Sequence, residues 1–160
     1  CYPVSNYNIK VFGNQPWNIN QYCGVIQDER VRDLFVSAKV CPNLSEPHAH
    51  EYGFDINERC FKISCAGGFC ISDNITSIAK IFKGNGIVFA EDPEDFKDKI
   101  DYYIKNEEER LALAKQSQQF LLDNHTNFHR VSQILQYFGY EEESEKTLLG
   151  WQNTRRQINA

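Results

Sequence analysis

From Tyr7 to Ala90, short apolar runs alternate with stretches of helical period; past Ala90 the pattern is helical throughout. Tyr7-Asn-Ile-Lys-Val-Phe12 alternates and stops at Gly13-Asn14, which predicts a strand running into a turn. Tyr22 to Ile26 predicts a second short strand. Asp28 stands where it would cap a helix whose Val31, Leu34, Phe35 and Ala38 share one face. Val40 to Leu44 predicts the next strand, and Ser45 to Phe54 a polar loop. Phe69 to Ile71 is a strand-type apolar run stopped by Asp73-Asn74; Ile75 to Phe82, ended by Gly84, predicts a short helix, and Ile87 to Ala90 a last strand. Strands alternating with helices across short loops predict a parallel sheet of four to five strands near 7–12, 22–26, 40–44, 69–72 and 87–90, with right-handed crossovers.

The chain is organised around Tyr52 to Asn74. Asp55 followed by Glu58 has the spacing of a capping box, and the helix it predicts carries Phe61 and Cys65 on one face, with Ile56 and Ile63 near its borders. Gly67-Gly68 supplies a residue able to turn left-handed and end that helix. Past Ala90, Asp92-Pro93 predicts a cap with proline in the first helical turn, and Phe96, Ile100, Tyr103 and Ile104 form the stripe behind it. Asn106 with Glu109 predicts a second helix carrying Leu111, Leu113, Ala114, Phe120 and Leu121. Thr126-Asn127 predicts a third, with Val131, Ile134, Leu135 and Phe138 on one face. After Gly139 the residues are first acidic, then basic around Arg155-Arg156, and predict either an amphipathic helix around Leu148, Leu149 and Trp151 or a loose tail.

Composition narrows the functional classes. A length of 160 residues suits one domain with a sizeable core. A formal charge of -5 without any Lys/Arg cluster argues against a nucleic-acid partner. No apolar run has membrane length, so a soluble, cytoplasmic chain without a membrane span is expected. The six cysteines form no Cys-x-x-Cys pair and several lie in apolar stretches, which predicts free, buried thiols in a reducing compartment. The absence of Met, with Cys1 at the start, predicts a fragment or trimmed chain.

Asn57-Glu-Arg-Cys-Phe-Lys-Ile-Ser-Cys-Ala-Gly-Gly-Phe-Cys-Ile-Ser-Asp73 resembles the core motif of group 1-type glycosyltransferases, in particular the CgeB-like branch. The likeness extends from about Tyr7 to Gly139 and takes in Phe12-Gly13-Asn14 with Trp17, Glu91-Asp92-Pro93, Glu108-Glu109-Arg110 and His125-Thr126-x-x-His129-Arg130. It implies an α/β, Rossmann-like parallel sheet flanked by helices with a helical C-terminal third. This would be the C-terminal, donor-binding half of a GT-B enzyme, with its first strand and helix missing. Residues 1–140 would form the nucleotide-sugar-binding domain and 141–160 a C-terminal helix or tail. The implied reaction is metal-independent transfer of a sugar from a nucleotide diphosphate-sugar, used as substrate and with no further cofactor. The acceptor would be held by an N-terminal domain outside this chain.

Ligands of open parallel sheets bind beyond the carboxyl ends of the strands. That collects the candidate substrate contacts: Gly13 and Asn14; Gly24, Val25 and Ile26; His48, His50, Glu51 and Tyr52; and Asn57, Glu58, Arg59 and Lys62 at the helix start. Cations and N–H groups suit phosphates, while carboxylates and amides suit hydroxyls. Asn57 and Arg59 match the family's Asn-x-Arg, and Arg59 either forks onto donor oxygens or pairs with Glu58, Glu51 or Asp55 to hold the loop. The strand before Ile26 is open to the same choice, a donor-base contact or plain scaffold. His50 has the chemistry of a base or of a phosphate partner. His48-Ala-His50 lacks the distant third ligand that a metal site needs, and His125 and His129 read as helix-capping or surface residues. The paired glutamates usual in retaining relatives are absent, with Phe54 and Lys62 in their places. That departure keeps a second reading open, a non-catalytic α/β module binding a nucleotide or a protein.

Overall fold

The computed structural model describes residues 7–158, so Cys1 lies outside the described residues. Two compact units divide the chain, Cys1–Gln118 and Gln119–Ala160. In the first, α1 (Asp28–Ser37), β1 (Cys41–Asn43), α2 (Pro47–Tyr52), α3 (Arg59–Ala66), β2 (Cys70–Asp73), α4 (Thr76–Phe82), β3 (Val88–Ala90) and α5 (Pro93–Lys105) follow one another; α6 (Glu107–Asn124) carries the division within it. The second contains α7 (Asn127–Tyr137) and α8 (Glu141–Ile158). The sheet is parallel in the order β1-β2-β3, pairing Cys41 with Cys70, Asn43 with Ser72, Ile71 with Val88 and Asp73 with Ala90. The expected α/β fold with a helical C-terminal third is therefore present.

Central β2 is buried along its whole length, as a parallel strand covered on both faces must be. Phe69, Ile71, Ala90, Phe96, Ile100 and Ala114 form one core cluster, with Tyr103 and Ile104 packed against it. Asp92 caps α5 by accepting the N–H groups of Glu94 and Asp95 at 2.9 and 2.8 Å, with Pro93 opening the helix. Gly67 ends α3 in the left-handed region, φ 89°. Gly86 is needed for a different reason: a Cβ there would lie 2.3 Å from Leu113 O and 2.5 Å from Ser117 N, so the backbone of α6 rests directly on it.

Several expectations are corrected. The strands expected at 7–12 and 22–26 reduce to one parallel bridge, Val11 with Tyr22, flanked by Val11 N–H to Gln21 O and Cys23 N–H to Val11 O. None of their described residues is fully buried, and a lone pair of strands without a covered face gains little from pairing. Gln27, not Asp28, is the N-cap of α1. The polar loop at 45–54 contains α2, with Pro47 in its first turn, Ala49 buried, and Gly53 closing it at φ 69°. The Asp55–Glu58 capping box does not form: α3 starts only at Arg59, whose N–H goes to Asn57 Oδ1 at 3.2 Å. Its buried face is Cys60, Ile63 and Ser64, because these turn toward β1 and β2; Phe61 is half-buried edge-on against Phe82, and Cys65 is exposed.

In the second unit, the face expected to bury Val131, Ile134, Leu135 and Phe138 leaves Val131, Ile134 and Phe138 exposed. The helices α7 and α8 meet instead through Ser132 and Ser144, both buried, with hydroxyls 2.6 Å apart. Small side chains let the two backbones approach, and each hydroxyl removes the desolvation cost of the other. Residues Glu141–Ile158 form a helix, and its Trp151 indole N–H donates to Leu122 O at 3.0 Å while the ring stacks on Phe128.

Candidate functional site

The carboxyl ends of β1 and β2 carry Asn43, Ser72 and Asp73, all buried. Asp73 is their hub. Its Oδ2 accepts the Ser45 N–H at 2.7 Å and lies 2.9 Å from His50 Nε2; its Oδ1 accepts the Ser45 hydroxyl at 3.0 Å. Ser72 Oγ accepts from Asn43 Nδ2 at 2.9 Å and donates to Asp73 O at 3.0 Å. Asn43 Oδ1 is buried without a hydrogen-bond partner. Pairing Asn43 with Ser72 in the parallel register is what sets these polar side chains side by side.

The helices behind this edge bring further groups. On α2, His50 faces Asp73, while His48 Nε2 lies 2.8 Å from Asp55 Oδ2. Glu51 and Tyr52 are exposed, the latter 5.8 Å from Phe54 between ring centroids. On α3, an Arg59 guanidinium N–H donates to Leu44 O at 3.2 Å, tying the helix start to the residue between Asn43 and Ser45. Asn57 holds the α3 entrance with its side-chain oxygen, and its backbone oxygen accepts from Cys60 Sγ at 3.3 Å. Glu58 and Lys62 neutralise each other at 2.6 Å on the exposed side. Arg59 thus has a loop-holding contact, made to a carbonyl rather than to Glu58, Glu51 or Asp55.

Gly13 and Gly24 come together through a 3.1 Å backbone hydrogen bond, with Asn14 and Val25 exposed and Ile26 half-buried. Among the described residues, no hydrogen bond or ion pair joins this group to the Asp73 cluster. Asp73, Asn43 and Ser72 lie outside the candidates that the sequence picks out, and Ser45 only opens the loop at 45–54. A signal is present: Ser72-Asp73 follows the apolar run Phe69 to Ile71, where a carboxylate has no packing role and must find donors.

The cysteines offer no nucleophile here. Burial pushes the Cys41 thiol up to about 12 and the Cys60 thiol up to about 11, and holds Cys70 well above its ordinary value. All five described cysteines are free. Among the described residues no group of three or more His, Cys, Asp or Glu is arranged to hold a metal ion, and no helix is long and apolar enough to cross a membrane. His129, expected as a capping or surface residue, caps α7: its Nδ1 accepts the Thr126 N–H at 3.2 Å. His125 lies 5.0 Å from the Phe120 ring.

A parallel sheet with a polar cluster at its carboxyl edge is shared by many nucleotide-binding proteins, and the geometry alone does not choose among them. No curated protein and no solved structure matches the chain. The family described as glycosyl transferase-like matches residues 2–136, most of the sequence. The match spans the sheet, the Asp73 cluster and the helices through α6, so the chain belongs to the glycosyl transferase-like family.

Proposed function

We propose that the carboxyl edge of this sheet binds a nucleotide diphosphate-sugar, and that the chain is the donor half of a metal-independent GT-B glycosyltransferase of the CgeB-like branch. The acceptor would sit on a domain N-terminal to it. The observation that carries this reading is the buried Asp73 cluster at the ends of β1 and β2, with Arg59 tied to the adjoining Leu44. Over this buried polar floor the edge presents the exposed His50 and Glu51 to sugar oxygens, and Arg59 offers a guanidinium to the diphosphate. Five free cysteines support a reducing, cytoplasmic setting. Calorimetry of the full chain with UDP-, GDP- and dTDP-sugars tests the reading. Saturable binding of one nucleotide class is expected, and no binding across the panel would sink it. The rival reading, a non-catalytic binding module, draws support from Phe54 and Lys62 at the glutamate positions and predicts binding without turnover.

A further inference from the structure

We infer that a cavity at the amino ends of β1 and β2 binds a small organic carboxylate, a ligand separate from the proposed donor. The cavity holds about 270 Å³, at the lower end of the range for small-molecule sites. It is lined by Lys39, which leads into β1, by Phe69, which leads into β2, and by Arg110, Leu111 and Ala114 of α6. None of the candidate residues at the carboxyl edge lines it. Its charge also sets it apart. Two cations, Lys39 and Arg110, line it against one carboxylate, Glu107, in a chain of formal charge -5.

Arg110 is the residue that calls for an anion. It is only 5% exposed, and a guanidinium has five N–H donors. One amino group, Nη1, donates to Tyr103 O at 2.7 Å and to Ile104 O at 3.5 Å, which closes the end of α5. The other, Nη2, lies 3.6 Å from Glu107 Oε2, beyond hydrogen-bond range, and the Glu107 side chain is 65% exposed. Among the described residues Nε has no hydrogen-bond partner. Closing α5 therefore accounts for one amino group and leaves Nε and Nη2, a pair of donors that matches the two oxygens of a carboxylate. A buried charge with donors to spare beside a cavity gains most from a ligand that brings acceptors. Lys39, itself exposed, adds a second positive charge. Phe69, Leu111 and Ala114 add apolar wall, which suits an acid with a short apolar body better than a phosphate, polar on every face.

The test uses the full chain with acetate, butyrate, hexanoate and benzoate, and with the neutral amide of each. Calorimetry is expected to show saturable binding of at least one acid, and its amide is expected to bind about 10-fold more weakly or worse, the scale of a charged hydrogen bond. Proton NMR of the wild type is expected to show Overhauser contacts from the bound acid to the Phe69 ring and the Leu111 methyl groups. Arg110→Lys keeps the charge but loses the fork, and is expected to weaken the acid about 10-fold; circular dichroism checks its fold. Ser37→Trp, at an exposed position lining the cavity, fills the space without removing an Arg110 contact, and is expected to abolish binding. Absence of binding by all four acids, an amide as tight as its acid, contacts to other residues, or unchanged affinity in Ser37→Trp would overturn the inference. No nucleotide-sugar enters the test, so its failure and that of the donor reading are told apart.

Discussion

Both compact units bury small polar side chains, and they resolve the cost of doing so in opposite ways. Between α7 and α8, Ser132 and Ser144 hydrogen-bond each other, and Ser144 Oγ also reaches Ser132 O at 3.0 Å. Nothing in that pair is left over. At the sheet edge, Asn43 keeps an unpaired oxygen, and the carboxylate of Asp73 reaches out to a half-exposed imidazole. A closed polar pair serves packing, since it lets two backbones approach without an unsatisfied group. The unpaired Asn43 oxygen is fully buried, as is Ser64 Oγ on α3, so within this edge only the half-exposed His50 is open to solvent. The contrast sets a closed packing contact against the edge where the donor is proposed to bind.

The strongest way to probe the scaffold side is Gly86. At Gly86 the sheet unit brings backbone against α6 with a glycine, where α7 and α8 use serines. A methyl group at Gly86 would meet Leu113 O at 2.3 Å and Ser117 N at 2.5 Å, at a φ of +84°. Gly86→Ala is expected to cost about 3 kcal/mol or more in urea unfolding, on the scale of backbone strain plus overpacking. A loss under about 1 kcal/mol would show that α6 does not rest on this turn. Next comes Ser144→Leu, which forces a large side chain into the closed pair. It is expected to cost about 2 kcal/mol of stability, with nucleotide-sugar affinity untouched. If affinity changed instead, the division into scaffold and site would break.

Arg59→Lys examines the site side. The guanidinium already commits one amino group to Leu44 O, a bond that an ammonium can replace, but a lysine loses the fork. Donor affinity is expected to fall by about 1.5 kcal/mol, the scale of a charged hydrogen bond, with the melting temperature nearly unchanged. Lost thermal stability at unaltered affinity would assign Arg59 to the scaffold.

The same contrast explains what was legible in the sequence. Caps with a single strong chemistry were readable: Asp92-Pro93 before α5, and Gly67 after α3. So were the apolar runs that became β2 and β3. Helix α2 is hidden because all its residues but Ala49 are exposed, although Pro47 opens it and Gly53 closes it. The packed face of α7 differs from the expected one because apolar spacing marks a stripe without saying what covers it, and a serine pair makes the contact. Asn57, Arg59 and His50 were identified as candidates from their types and positions. Asp73 was not, because a strand-ending Asp-Asn looks like a stop signal until the register shows it next to Asn43 and Ser45. A local pattern cannot encode a partner supplied by a neighbouring strand.

The smallest expected effect is a pH dependence within the helical unit, and it tests whether that unit is as closed as its serine pair suggests. His129 Nδ1 accepts the Thr126 N–H only while that nitrogen carries no proton. Burial, and then the neighbouring Arg130 charge, hold His129 below its ordinary value, with Asp123 acting the other way. The unfolded chain therefore binds a proton more readily than the folded one between the folded value and about pH 6.5. Stability should be complete above that window and fall as the pH drops through it. His125, lowered by burial and then by Arg130, adds a contribution of the same sign. Trp151, stacked on Phe128, reports on this unit once the exposed Trp17 is changed to Phe. In that background, the urea midpoint read by Trp151 fluorescence should be lower at about pH 5.5 than at about pH 7.5. His129→Gln should shrink the difference and leave only the part due to His125. A midpoint that is flat, or rises on acidification, would show that the Thr126 cap does not depend on a neutral imidazole.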